Sequence, residues 1–180
     1  MRLRKPASVT VQVNLPFVGI KGTWEPDQSE QWAAWELYVE LVTRVSLAEL
    51  SPDEGLLREA LSSLHTLFNT TRQILRRYGP SVAQPKGKGN TSFGHLAVAL
   101  LNVVLRPVLA KWHPILLQYE ATKPPSVSPP EHERQWDRGH ELREVLASTR
   151  AALLEYASLL AEVAKVPSLI MPLDGSPKGG

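Results

Sequence analysis

The spacing of apolar residues changes near residue 25, from a period of two to one between three and four. In SVTVQVNL, Val9, Val11, Val13 and Leu15 fall on one face and Ser8, Thr10, Gln12 and Asn14 on the other, the pattern of a half-buried strand. After a corner at residues 14–17 that contains Pro16, VGIKGTW returns as a second strand with Val18, Ile20 and Trp24 on one side. A lone two-stranded hairpin is marginal in water, so it must lie on helices or pair with another chain.

From Pro26 the pattern predicts four helices. The first covers 27–47 and carries Trp32, Trp35, Val39 and Val42; the five tryptophans are expected to pack in the core. The second covers 52–78, opens on the capping box SPDE at 51–54, and stops at YGP, where Gly79 takes a left-handed conformation and Pro80 ends the helix. PSVAQPKGKGN reads as a flexible linker to a third helix over 91–122, and KPPSVSP breaks that helix. A second capping box, SPPE at 128–131, starts a fourth helix running to 165. Leu57, Leu61, Leu64, Phe68, Thr71, Leu75 and Tyr78 keep an alternating four-three spacing, as do Leu142, Leu146, Thr149, Leu153, Tyr156, Leu160 and Val163. Such narrow seams belong to helix bundles. The expected architecture is mainly α: an up-down four-helix bundle over 25–166, an N-terminal β-hairpin or strand over 1–24, and a flexible tail over 167–180, all one domain.

The third helix breaks its own apolar pattern. At 100° per residue, His95, Asn102, Arg106, His113 and Glu120 lie within about 40° of one line along it, while the rest of the circumference is mostly Leu, Val and Ala. This stripe is either a thin solvated face or a surface for a ligand, a partner or catalysis. Pro107 and Pro114 each remove a backbone donor and free a carbonyl one turn earlier, at Val103 and Ala110, so a kink is expected on either side of the 106–113 segment, with carbonyls open to the stripe.

Composition narrows the choice. The 180 residues are 43% hydrophobic and 21% charged, which fits one soluble domain with a sizeable core. The absence of cysteine excludes disulfides, thiolate metal sites and a cysteine nucleophile. The basic N-terminus has no apolar h-region, and the apolar stretch HLAVALLNVVLRPVLAKWHPILL carries Asn, Arg, Lys and two His, so it reads as core and not as a membrane span; a cytoplasmic protein is expected. An Ala-, Leu-, Arg- and Pro-rich composition has a bacterial flavour.

Arg106 and His113 match the Arg-x(4–6)-His spacing of the HEPN ribonucleases, helical proteins that the chain loosely resembles; Arg58/His65 and Arg134/His140 show the same spacing, and Pro107 follows Arg106 where that family usually has a polar residue. The resemblance implies metal-independent RNA cleavage, with His113 in acid-base work and Arg106 stabilising phosphorane charge. EHERQWDRGHE at 131–141 evokes a di-iron carboxylate site, but only Asp137/His140 approximates the required Glu-x-x-His, so neither metal nor cofactor is expected. Arg72, Arg76 and Arg77 complement the dipole at the end of the second helix, and with Lys86 and Lys88 they could also touch RNA or an acidic partner. The net charge of +2, with no run of five basic residues, is mild for a nucleic-acid binder.

The expectation is therefore a non-enzymatic interaction or accessory protein that binds another protein or itself, as a homo-oligomer, through His95, Asn102, Arg106, His113 and Glu120, with an HEPN-like RNase or toxin as the alternative. Deleting residues 1–23 should lower the melting temperature or abolish self-association, because the strand needs a surface to cover its edges. A truncated chain that keeps both its melting temperature and its mass would show that the hairpin is dispensable.

Overall fold

A computed structural model describes residues 8–15, 18–44 and 55–170. The chain is mainly helical, with one small antiparallel sheet. Strands β1 (Val9–Leu15) and β2 (Val18–Trp24) pair in the register Val9 to Trp24 and Val11 to Gly22. The helices are α1 (Gln28–Val42), α2 (Leu57–Tyr78), α3 (Phe93–Glu120), α4 (Pro129–Arg134) and α5 (Gly139–Ala164). The hairpin is not an appendage: Val9, Val11 and Trp24 are buried in the same core as the helices, and β1 lies against α5.

A buried carboxylate organises the junction between sheet and helices. Asp27 caps α1 and forms a capping box with Glu30, whose Oε2 accepts from the Asp27 N–H at 3.2 Å. Glu30 is nearly inaccessible, at 1% exposure, and its other oxygen accepts from Trp24 Nε1 at 3.1 Å and from the Phe93 N–H at 3.0 Å. Lys86 Nζ lies 3.4 Å from Glu30 Oε2 and also pairs with Asp27. One side chain thus ties β2, the start of α1, the 84–91 connection and the start of α3.

Several expectations need correcting. In α1 the buried positions are Ala33, Ala34, Leu37, Tyr38 and Leu41, while Trp32 is 55% exposed. Small Ala residues let the helix approach its neighbours; Trp35 packs against the core, whereas Trp32 does not enter it. The SPDE box lies outside the described residues. Helix α2 begins at Leu57, not 52, after an extended Leu56 and a Gly55 at φ +67°. It ends as expected on Gly79 at φ +68°. The following segment is not a loose linker: Gly79–Ala83 forms a 3-10 turn that buries Val82, Lys86 joins Asp27 and Glu30, and Asn90 Oδ1 accepts from the Thr23 N–H at 2.9 Å.

The SPPE box forms as expected at Ser128 and Glu131, but the helix it opens ends at Arg134, and α5 starts anew at Gly139. Aromatic packing explains the break. Trp136 is buried between the Tyr119 ring, stacked at 5.1 Å, and the Trp112 ring, edge-on at 6.2 Å. His132 stacks on Tyr119 at 4.1 Å. Burying these rings against α3 is worth more than four further residues of helix.

Helix α3 contains a wider π stretch, Leu100–Leu105, in which the Arg106 N–H reaches back five residues to the Leu101 carbonyl. It directly precedes Pro107, whose ring would clash with a regular α turn. By length and composition α3 resembles a membrane span, at mean hydropathy 1.7, yet 56% of that window is buried in the fold, as in a core helix. Both seams are largely buried: Leu57, Leu61, Leu64 and Thr71 in α2, and Leu142, Thr149, Leu153, Tyr156, Leu160 and Val163 in α5.

Replacing Glu30 with alanine should destabilise the protein by about 3 kcal/mol, because it leaves the Trp24 indole and the Phe93 N–H without their buried acceptor and leaves Lys86 with Asp27 alone. Urea unfolding measures this, and a loss under about 1 kcal/mol would show that the carboxylate does not hold the junction.

Candidate functional site

Two polar rows meet along the seam between α2 and α3. Arg58, on α2, donates to both Glu120 oxygens at 2.7–3.1 Å and approaches His113 Nδ1 at 3.0 Å. His65 meets the His113 ring edge-on at 5.7 Å, and the Arg106 guanidinium lies 5.4 Å above the Phe68 ring. Rising numbers on α2 therefore oppose falling numbers on α3, and the helices run antiparallel. On α2, Arg58, His65, Asn69, Arg72 and Arg76 all fall within about 60° of arc. His65, Asn69, Arg72 and Arg76 are exposed, as are His95, Asn102 and Arg106 on α3.

The five stripe residues separate into two groups. At the lower end His113 and Glu120 are partly buried and bonded to Arg58. At the upper end Arg106 donates to Asn102 Oδ1 at 3.0 Å, and His95 Nδ1 lies 2.9 Å from Ser92 Oγ. Arg106 and His113 are thus engaged with different partners. Neither donates to the carbonyls of Val103 or Ala110; the stripe is satisfied by side chains on α2 and on its own helix.

His113 behaves as a strut. Burial, chiefly, and then the adjacent Arg58 and His65 hold its pKa below the usual imidazole value of 6.5, against smaller opposing effects of Glu120 and the Leu61 carbonyl. A guanidinium has no acceptor, so Nδ1 must accept from Arg58 and the proton of the neutral ring sits on Nε2. Nε2 is sealed from solvent and closes no hydrogen bond of ordinary geometry. Neither nitrogen is free to meet a substrate.

A pocket of about 220 Å³ opens beside Arg58 and Glu120, floored by Leu116 and Tyr119 and edged by Lys123 and Glu133. Its polar groups are already employed: Glu133 accepts from the Leu57 N–H at 2.8 Å and from Arg143 at 3.1 Å, and Lys123 donates to the Val127 carbonyl. Burial raises the Glu133 pKa, partly offset by the Leu57 N–H and Arg143. In the 131–141 stretch His132 is stacked on Tyr119, while His140 is exposed beside Glu144. Among the described residues no three His, Asp or Glu side chains are grouped to hold a metal ion.

The sequence marks Arg72 and Arg76 as a possible contact for RNA or an acidic partner but does not align them with Arg58, His65 and Asn69 opposite α3, although a signal for the row exists. Residues 60–119 contain no Asp or Glu but hold Arg72, Arg76, Arg77, Lys86, Lys88, Arg106 and Lys111. Counting runs of like charge misses this, because the signal is a gap of 60 residues without an acid. The fold then neutralises part of the set: Arg77 pairs with Glu36 at 2.7 Å, Lys86 with Asp27 and Glu30, and Lys111 with Glu141 at 2.9 Å. Among the described residues Arg72, Arg76 and Arg106 have no acidic partner. Comparison with protein-family models, curated proteins and solved structures finds no match.

Because the folded His113 is a weaker base than the unfolded one, the unfolded chain takes up the proton first as pH falls. Its contribution to stability is complete above about pH 6.5 and declines on acidification through the depressed folded pKa. The urea midpoint should therefore drop between pH 7.5 and 5.5, and by less in His113→Gln. Equal drops in both proteins would remove His113 from this role.

Proposed function

We propose that the protein is a non-enzymatic interaction or accessory protein, built as an up-down four-helix bundle, that docks a partner on the face shared by α2 and α3. The observation that carries this reading is the trio Arg72, Arg76 and Arg106, exposed on one face and unpaired by any acid, in a protein that pairs Arg58, Arg77, Lys86 and Lys111 internally. Single surface cations usually need no explanation. Three on one acid-free face create a positive potential that recruits a negatively charged partner and sets its orientation.

A second copy docking through this same face would set arginine against arginine across the two-fold axis, which is repulsive. Self-association, if it occurs, uses another surface. The ribonuclease alternative has less support, since Arg106 is turned to Asn102 and Phe68 while both nitrogens of His113 are enclosed. Catalysis would need at least one of these groups to reach a ribose hydroxyl or its phosphate.

Two measurements test the reading together. Wild-type protein should be retained on a heparin column, a generic polyanion, and Arg72→Glu/Arg106→Glu should elute at markedly lower salt than Arg134→Glu/Arg150→Glu, which makes the same charge change elsewhere. Labelled RNA incubated with wild-type protein in EDTA should remain intact. Absence of retention would sink the docking face, and metal-free cleavage that disappears in His113→Ala would establish the ribonuclease instead.

A further inference from the structure

We infer that the α2/α3 face takes the phosphodiester backbone of a nucleic acid. The inference rests on the docking reading and adds the chemistry of the partner. Arg72 and Arg76 stand one turn apart on α2, about 6 Å along the axis, and Arg106 faces them across a helix pair whose axes are typically about 8–10 Å apart. Each guanidinium offers a planar fork of donors that matches a phosphate's oxygens. The three forks straddle a shallow seam and are not gathered into one pocket. That arrangement suits a repeating polyanion better than a single small anion.

The side chains between the arginines point the same way. Asn69, Gln73, Asn102, His65 and His95 are exposed, polar and without negative charge. They belong to the class of groups that contact phosphate and sugar and fix the position of a nucleic acid without reading its sequence. No acid faces the strand from within the row. Among the described residues two acids beside the row are paired, Glu120 with Arg58 and Glu36 with Arg77 and Tyr78.

A protein partner requires something this face lacks. Protein interfaces are organised around a desolvated apolar or aromatic centre, in which a few anchors carry the affinity. Among the described residues the exposed large hydrophobics are Trp32, Val98, Leu117 and Leu169; Val98, at 45% exposure, lies in the α3 row one turn before Asn102, and Leu117 lies one turn beyond His113. Phe68 is partly buried and lies under the Arg106 guanidinium. A surface of cations and neutral hydrogen-bonding groups, with Val98 as its exposed apolar member and no exposed Phe, Tyr or Trp, has the composition of a nucleic-acid contact, which is more polar and more positive than a protein contact.

The face is short, and this sets a quantitative expectation. With the ends closed by ion pairs, three arginines neutralise about three phosphates. The logarithm of the association constant should then fall against the logarithm of salt concentration with a slope of about −2 for a single strand and about −3 for a duplex. Binding should be largely independent of sequence.

The test is fluorescence anisotropy with full-length protein and labelled 20-nucleotide single-stranded RNA, single-stranded DNA and duplex DNA, from 25 to 200 mM KCl. We expect at least one of the three to bind with a slope of that size; which one binds identifies the strand type. Arg72→Glu/Arg76→Glu should weaken binding at least tenfold and flatten the slope, Arg72→Lys/Arg76→Lys should retain most of the affinity, and Arg134→Glu/Arg150→Glu should change little. If circular dichroism shows that the double Glu variant is unfolded, Arg106→Gln replaces it, with a slope reduced by a little under one. Failure of all three oligonucleotides to bind at 25 mM KCl, or equal loss in the Arg134→Glu/Arg150→Glu control, overturns the inference. Polyglutamate binding in place of oligonucleotides overturns it too but leaves the docking reading intact, whereas loss of heparin retention as well removes both.

Discussion

The arrangement of this fold depends on one carboxylate placed where water cannot reach it. An ionised group is expensive to bury, and the cost is offset here because Glu30 meets an indole N–H, two backbone N–H groups and an ammonium group from four separate segments. The geometry is demanding: each donor is useful only if β2, α1, the 84–91 connection and α3 are all in position. Hydrophobic burial alone would tolerate sliding between these elements. The carboxylate removes that freedom and sets where α3 begins, and with it which α3 residues face outward.

From that fixed start, α3 must pass Pro107 and Pro114 without leaving the core. The π stretch just before Pro107 widens the turn, so the exposed positions Val98, Asn102 and Arg106 recur every four residues. A proline in a regular α segment bends the helix; here the irregularity is absorbed just ahead of the proline, and the exposed row continues to Arg106. The row on α2 needs no such device, since Arg58, His65, Asn69, Arg72 and Arg76 already share a line at ordinary α-helical spacing.

Much of this was readable from local rules. The hairpin, the Ser128 capping box, the Gly79 stop and the α5 seam each depend on neighbours within a few residues, where spacing and turn chemistry are informative. The stripe on α3 was readable for the same reason. What escaped was set by tertiary contacts: the phase of α1, chosen by Ala33 and Ala34 over Trp32; the break at 135–138, imposed by Trp136 stacking on Tyr119; and the ordered 79–91 connection, held by Lys86 and Asn90. The Asp27 to Glu30 capping box went unread, and nothing local shows that its glutamate also receives Trp24 and Phe93.

The presence of charge in the greasiest helix now has two distinct physical answers. His113 and Glu120 are partly buried because Arg58 reaches across from α2 and satisfies both, making a polar clamp between the two helices. Arg106 needs no such clamp. It leaves the helix at the mouth of the seam, lies over Phe68, and keeps its charge in water, where an arginine costs little. The clamp ties the two helices together at one end, and beyond it Arg72, Arg76 and Arg106 stand exposed without an acidic partner among the described residues. Paired and unpaired charges therefore occupy consecutive parts of one seam, and a charge moved from the open part to the closed part would lose the water that makes it affordable.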